Sequence, residues 1–164
     1  MANKINVPVD DRTLTRKTIL LVEDNRDDEE LALRALRQSN IMNEVVVARD
    51  GEEALDYLFR QETLPTENES ESLPAMVLLD LKLPRIGGTE VLREIRAHPR
   101  TRHLPVVVLT SSKEERDLAE VYALGVNSYL YKPVDFEKFV DAVGHVGVYW
   151  MLFNKIPTSG LAAK

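Results

Sequence analysis

A continuous apolar run, residues 75–79, ends abruptly at the carboxylate of Asp80. Five consecutive apolar residues predict a short strand that is buried on both faces, as in a parallel sheet. An ionised carboxylate is costly inside an apolar core, so the strand is expected to end at a polar crevice. Three further apolar runs end in the same way: residues 19–22 at Glu23 and Asp24, residues 106–109 at Thr110 and Ser111, and residues 129–131 at Lys132 and Pro133.

The ends of these four runs carry complementary chemistry. If the strands are parallel, their carboxyl ends meet at one edge of the sheet. That edge then holds three carboxylates, one hydroxyl and one ammonium, from Glu23, Asp24, Asp80, Thr110 and Lys132. Carboxylate oxygens are the ligands that Mg²⁺ prefers, and an ammonium group binds phosphate as a point charge. The pattern therefore predicts a site for Mg²⁺ and a phosphoryl group.

Strand and helix candidates alternate five times along the chain. This alternation predicts an α/β fold with a doubly wound parallel sheet, helices on both faces and right-handed crossovers. In such folds the functional crevice lies beyond the carboxyl ends of the strands, at the topological switch point. Two local signals predict helix starts. Asp50 followed by Glu53 looks like an N-cap, and Ser112 followed by Glu115 resembles a capping box.

Composition narrows the class of protein. A chain of 164 residues suits one domain, and a net charge of −6 without a basic stripe argues against nucleic acid as a partner. The absence of cysteine excludes disulfides and thiolate metal sites. No apolar run approaches a membrane span and the N-terminus is not a signal peptide, so we expect no membrane contact and a cytoplasmic location. Residues 1–16 are interpreted as a loose leader, and residues 61–74 as an acidic surface loop.

The ordered set of Glu23-Asp24, Asp80, Thr110-Ser111, Tyr129 and Lys132-Pro133 resembles the receiver domain of two-component response regulators. The separations also match the family pattern, with 30 positions from Asp80 to Thr110 and 22 from Thr110 to Lys132. We assign residues 17–147 to this domain. The resemblance implies a CheY-like (flavodoxin-like) five-stranded (βα)₅ sheet with strand order 2-1-3-4-5.

The resemblance also implies roles for individual residues. Asp80 would accept a phosphoryl group from the phosphohistidine of a histidine kinase. Glu23, Asp24 and Asp80 would ligate Mg²⁺ together with the backbone carbonyl of Lys82. Without metal, three clustered carboxylates repel one another, and at least one is expected to take up a proton. Lys132 offsets part of this repulsion and would later hold a phosphoryl oxygen.

Thr110 and Tyr129 form the switch that the resemblance implies. The Thr110 hydroxyl would donate to the phosphoryl group and draw its loop towards Asp80, which leaves space for Tyr129 to rotate from an exposed to a buried position. The alternative is that Tyr129 is only a strand aromatic. Members of the family hold the bond between Lys132 and Pro133 in the cis form, so the same is expected here.

The last part of the chain, residues 148–164, is too short for an output domain, so the signal is expected to pass by contact with another protein. Its bulky side chains, including Tyr149, Trp150 and Phe153, exceed what one core face absorbs and predict a two-fold homodimer. The alternative is that this extension packs on its own domain. The tail, the leader and the acidic loop together resemble small response regulators paired with phytochrome histidine kinases, although residues 154–157 depart from the Asn-Glu-Pro-Pro ending of those relatives.

Two other functions remain open from the sequence. A phosphohydrolase with an aspartyl-phosphate intermediate needs a second Asp two residues after the nucleophile, where this chain has Lys82. A receiver-fold adaptor that signals without phosphate is the other alternative. We expect no turnover of a separate substrate, only phosphorylation of the protein itself and its reversal. Lys82 and Ser112 flank the path of attacking water in the family and are expected to tune the lifetime of the phosphoryl group.

Overall fold

The computed structural model describes residues 18–39, 41, 43–60, 73–132 and 135–150. Strands and helices alternate through these residues, as the sequence predicts. The strands are β1 (Ile19–Val22), β2 (Val45–Ala48), β3 (Met76–Leu79), β4 (Val106–Thr110) and β5 (Ser128–Tyr131). The helices are α1 (Arg26–Gln38), α2 (Gly51–Phe59), α3 (Gly88–Ala97), α4 (Glu115–Ala123) and α5 (Phe136–Val148).

The five strands form one parallel sheet in the order β2-β1-β3-β4-β5, which confirms the predicted topology. Register fixes which strand ends meet: Val22 of β1 pairs with Leu79 of β3, and Leu79 pairs with Val108 of β4. The next residues, Glu23 and Asp80, therefore lie side by side at the edge. Because the chain leaves β1 for β2 and then returns to β3, this edge is the topological switch point.

Each face of the sheet buries its own apolar cluster, because successive strand side chains point to opposite faces. In β1, Leu20 and Val22 pack in the cluster beneath α2, α3 and α4, whereas Ile19 and Leu21 pack beneath α1 and α5. Every residue of β1 and β3 is buried. The site thus stands on two strands held rigidly by packing on both sides.

Of the two helix starts predicted from local sequence signals, one is confirmed and one is wrong. The predicted cap at Asp50 is confirmed, since its Oδ1 accepts a 2.7 Å hydrogen bond from the Glu53 N–H. The predicted capping box at Ser112 is wrong, because α4 starts at Glu115 with Glu114 as its N-cap. The Ser112 hydroxyl instead donates a 2.5 Å hydrogen bond to Asp117, in the first turn of the helix. A side-chain partner inside the helix therefore replaces the cap.

Two glycines in α5 allow close packing against the end of α1. A Cβ on Gly144 would overlap the side chain of Ser39, and one on Gly147 would overlap the side chain of Ile41. From the sequence alone these glycines look like a tolerated cost in a helix. In the fold they let α5 approach the segment that follows α1, so they serve the packing of that face.

Several predicted features lie outside the described residues: the leader at 1–16, most of the acidic loop at 61–74, the bond between Lys132 and Pro133, and Phe153. Within the described ranges, no helix combines the length and apolar character that crossing a bilayer requires.

Candidate functional site

The centre of the site is the ammonium group of Lys132, which contacts three carboxylates. Its Nζ lies 2.6 Å from Glu23 Oε2, 2.9 Å from Asp28 Oδ2 and 3.1 Å from Asp80 Oδ2. An ammonium has three N–H donors, so these contacts use its full capacity. We call the group formed by Glu23, Asp24, Asp28, Asp80 and Lys132 the acid pocket.

Backbone hydrogen bonds hold the residues of the acid pocket at the strand ends. The Glu23 N–H donates to Ala48 of β2, and the Asp80 N–H donates to Val22 of β1, each at 3.0 Å. The Lys132 N–H donates to the Thr110 carbonyl at 2.9 Å. The backbone of each of these residues is therefore hydrogen-bonded to the sheet, which fixes the positions from which their side chains reach the pocket.

A glycine completes the pocket on the side of α3. A Cβ on Gly88 would overlap the Asp80 carbonyl oxygen, and the Gly88 N–H donates to the Leu81 carbonyl at 2.9 Å. The start of α3 thus packs directly on the segment that carries Asp80. The Lys82 N–H points back to Asp80 Oδ1 at 3.4 Å. The loop after β3 therefore curls around the carboxylate.

Burial and like charge act together on Glu23. Its side chain is 2 % exposed. Burial raises the pKa of Glu23 to about 7, and the charge of Asp80 adds to this, while the hydrogen bond from Lys132 acts in the opposite direction. The upward direction persists because burial, the largest influence, outweighs the hydrogen bond and the charge of Lys132. The expectation that crowded carboxylates take up a proton is thus met most readily at Glu23.

The opposite balance applies to Lys132. Burial alone would lower the pKa of Lys132, but its hydrogen bonds to Glu23 and Asp28 and the charge of Asp80 outweigh burial and hold that pKa above its ordinary value. Lys132 therefore stays charged at every physiological pH. The acid pocket contains one fixed positive charge among several carboxylates, which favours an additional cation.

The acid pocket has the donor set of a site for a hard cation. Glu23, Asp24 and Asp80 each offer a carboxylate oxygen, and these oxygens all lie within 4.8 Å of one another. Glu23 and Asp80 are buried, whereas Asp24 is exposed and leaves a side open to water. Mg²⁺ keeps several waters and takes one or two carboxylates readily, so these residues fit it.

A second group lies beside the acid pocket at the ends of β4 and β5; we call Thr110, Ser112, Asp117 and Tyr129 the hydroxyl cluster. The Thr110 Oγ1 accepts a 3.2 Å hydrogen bond from the Ser112 N–H. The Tyr129 hydroxyl donates to the Ser112 carbonyl at 3.1 Å, and burial raises the pKa of Tyr129, so this donor stays protonated. Ser112 therefore links the hydroxyl of Thr110 to the ring of Tyr129 and to α4.

Asp28 is the residue of the site that sequence reasoning missed. The spacing of charges in α1 indicates only an acidic first turn, which favours the positive end of a helix. In the fold, the Asn25 side chain caps α1 by accepting from the Asp27 and Asp28 N–H groups at 2.9 and 3.1 Å. This cap turns the first helical turn towards Lys132, 104 residues away in sequence. The asparagine before the acidic turn is the only local hint.

The residues predicted for a dimer interface differ in exposure. The Tyr149 side chain is 53 % exposed. Trp150 is half-buried and packs against the apolar cluster beneath α1 and α5. The two rings make an edge-to-face contact with centroids 4.9 Å apart. Trp150 thus fits the alternative in which the extension packs on its own domain, and Tyr149 remains available for a partner.

Comparison with known proteins identifies the family. Residues 19–144 match the model described as the response regulator receiver domain. The chain belongs to the response regulator receiver family. The first curated relative, the probable methanogenesis regulatory protein FilR2 of Methanothrix harundinacea, is 44 % identical over 139 residues, which cover 85 % of this chain and 86 % of FilR2.

Two solved structures of phytochrome response regulators are similar to this receiver. The bacteriophytochrome response regulator AtBRR is 52 % identical, with a TM-score of 0.64, and the match covers 85 % of this chain and 98 % of AtBRR. The phosphorylated cyanobacterial phytochrome response regulator RcpA is 40 % identical, with a TM-score of 0.76, and the match covers 88 % of this chain and 100 % of RcpA. This receiver thus has homologues tied to phytochrome signalling.

Proposed function

We propose that this receiver accepts a phosphoryl group on Asp80 from a histidine kinase and passes the signal to another protein by changing conformation. In the transfer, a carboxylate oxygen of Asp80 bonds to phosphorus while the bond from phosphorus to the histidine nitrogen breaks. The observation that carries the proposal is the acid pocket itself. An almost buried carboxylate stands at the switch point, contacts an ammonium and shares its surroundings with two further metal-capable acids.

We assign the metal role to Glu23, Asp24 and Asp80, with the backbone carbonyl of Lys82 as a further ligand. When bound, Mg²⁺ would neutralise charge on the phosphoryl oxygens. The protein's own residues do the rest of the positioning. Lys132 holds a phosphoryl oxygen as a point charge, and Thr110 donates its hydroxyl to another.

A direct experiment is incubation of the protein with acetyl phosphate and Mg²⁺, followed by intact-mass measurement. We expect one phosphoryl group on the wild-type protein and none on Asp80→Asn. Asp56→Asn removes an exposed carboxylate from α2 and serves as the matched control, which should be modified normally. An unmodified wild-type protein would instead support the phosphate-independent adaptor. Multiple turnover of phosphate esters would support the phosphohydrolase, which no feature of the site favours.

The kinase we propose is one coupled to a phytochrome. The support is the pair of phytochrome-linked relatives, of which AtBRR shares more identity with this chain than FilR2 does. The test compares initial rates of phosphotransfer from an autophosphorylated bacteriophytochrome kinase and from an unrelated histidine kinase at equal concentrations. A preference for the phytochrome kinase is expected. Equal rates, or a preference for the unrelated kinase, would contradict this assignment.

We also propose that the protein forms a two-fold dimer in which Tyr149 lies at the interface. Support comes from the large exposed fraction of this apolar side chain near the end of α5. Tyr149→Glu should shift the protein towards the monomer in analytical ultracentrifugation. Tyr122→Glu is the control, because Tyr122 is equally exposed but lies on α4. The same sedimentation for both variants would argue against the interface, and the roles of Trp150 and Phe153 would be tested in the same way.

A further inference from the structure

Asp28 contacts the phosphorylation site without belonging to its metal-capable group. Its Oδ2 lies 2.9 Å from Lys132 Nζ. The carboxylates able to share a cation are those of Glu23, Asp24 and Asp80. Asp28 can therefore act on the site only through its contact with the Lys132 ammonium.

The three acids that bind Lys132 differ in how readily they release it. The exposed fraction of the side chain is 2 % for Glu23, 8 % for Asp80 and 37 % for Asp28. A carboxylate that loses an ion-pair partner needs water in its place, and of the three Asp28 is the most accessible to water. Asp28 is thus the partner that the ammonium can leave at least cost.

A phosphoryl group on Asp80 creates competition for the ammonium. All three N–H donors of Lys132 are already occupied by carboxylate oxygens. A phosphoryl oxygen can therefore be bound only if one of these contacts weakens. The negative charge of Asp28 also opposes that of the incoming phosphoryl group, which arrives on the same ammonium.

We propose that Asp28 is a positioning residue that competes with the phosphoryl group for Lys132. In the resting protein it draws the ammonium towards the first turn of α1, where the Asn25 cap fixes its backbone. On phosphorylation the ammonium turns to the phosphoryl oxygen and Asp28 is released to water. Asp28 thereby lowers the stability of the phosphorylated form. The proposal rests on the proposed phosphorylation of Asp80.

The test measures the affinity for beryllofluoride, a phosphoryl mimic, by calorimetry at saturating Mg²⁺. Asp28→Asn keeps the shape of the side chain but removes the charge that competes for Lys132. We expect it to bind beryllofluoride roughly fivefold more tightly than the wild type, because binding no longer has to break one partly exposed ion pair. Asp28→Glu keeps an ionised acceptor in reach of the ammonium and should return the affinity to that of the wild type.

Asp27→Asn is the matched control. It removes one negative charge from the same helical turn, and among the described residues the Asp27 side chain makes no ion pair. Its affinity should stay close to that of the wild type. The proposal is overturned if Asp28→Asn binds the mimic no more tightly than Asp27→Asn, or if Asp28→Glu binds as tightly as Asp28→Asn. A wild-type protein that fails to bind beryllofluoride at all would contradict the proposed function itself.

Discussion

The acid pocket and the hydroxyl cluster lie side by side at the same edge of the sheet, but different forces hold them. In the acid pocket, one ammonium binds three acidic side chains between 2.6 and 3.1 Å, so every contact involves at least one charged group. In the hydroxyl cluster, Ser112 donates one hydrogen bond to the carboxylate of Asp117, but the contacts of Thr110 and Tyr129 with Ser112 are single hydrogen bonds between neutral groups, at 3.2 and 3.1 Å.

The two regions therefore differ in the free energy that it costs to break one of their contacts. Removing one member of a buried charge cluster leaves the others unpaired, at a cost of roughly 3–5 kcal/mol. Removing one neutral hydrogen bond costs only about 1 kcal/mol. The acid pocket is thus costly to disturb, whereas the contacts of Thr110 and Tyr129 in the hydroxyl cluster can rearrange at a small cost in free energy.

The largest effect is expected from Lys132→Ala in the metal-free protein. Three carboxylates would lose their shared counter-ion, and the free energy of unfolding should fall by about 4 kcal/mol. Mg²⁺ should restore a large part of this loss, because the same carboxylates would bind it. The measurement is urea unfolding with and without Mg²⁺. Lys138→Ala, on the exposed side of α5, is the control. A loss below about 1 kcal/mol would mean that the pocket is not held by charge.

The next largest effect is the pH dependence of the free energy of unfolding that Glu23 produces. The pKa of Glu23 in the folded protein is about 7, above its ordinary value of 4.5, so the folded state retains this proton where the unfolded chain has lost it. The stability that this group contributes is fully present below about pH 4.5 and is lost as the pH rises through 7. The loss amounts to about 3 kcal/mol at most.

Glu23→Gln tests this dependence. It should flatten the fall in the free energy of unfolding between pH 5 and pH 8 in chelator-treated protein. Glu30→Gln, an exposed change in α1, should leave the fall intact. Bound Mg²⁺ should also reduce it, because binding to the carboxylate displaces the proton. If the two variants show parallel pH profiles, the raised pKa of Glu23 is excluded.

The contrast between the two regions also explains which features could be predicted from the sequence. Strand ends are local signals: an apolar run that stops at Asp80 or Glu23 marks both the strand and the functional edge. The N-cap of Asp50 is equally local, since the N–H that caps it belongs to Glu53, three residues away. The sheet order followed from resemblance to a family, because no single run specifies its neighbours.

What the sequence did not reveal depends on contacts between distant segments. Asp28 meets Lys132 across 104 positions of sequence, because the fold brings the first turn of α1, which Asn25 caps, alongside the end of β5. Ser112 carries a capping pattern, yet its hydroxyl donates to Asp117 and α4 begins only at Glu115. The residue types in a pattern indicate which groups each side chain is able to bind. Which of these groups it contacts depends on the segments that the fold places beside it.

The smallest predicted effect is that of Tyr129→Phe, which removes the hydroxyl that donates to the Ser112 carbonyl. The resting protein should lose about 1 kcal/mol in its free energy of unfolding, since one neutral hydrogen bond disappears and the ring keeps its packing. Tyr131→Phe is a matched control, because that neighbouring ring is 48 % exposed and its hydroxyl should contribute little. If the ring of Tyr129 moves in the switch that the family resemblance implies, the Tyr129→Phe loss should vanish in the beryllofluoride-bound protein. A loss of the same size in both states would mean that Tyr129 is a strand aromatic and that the signal leaves the site by another route.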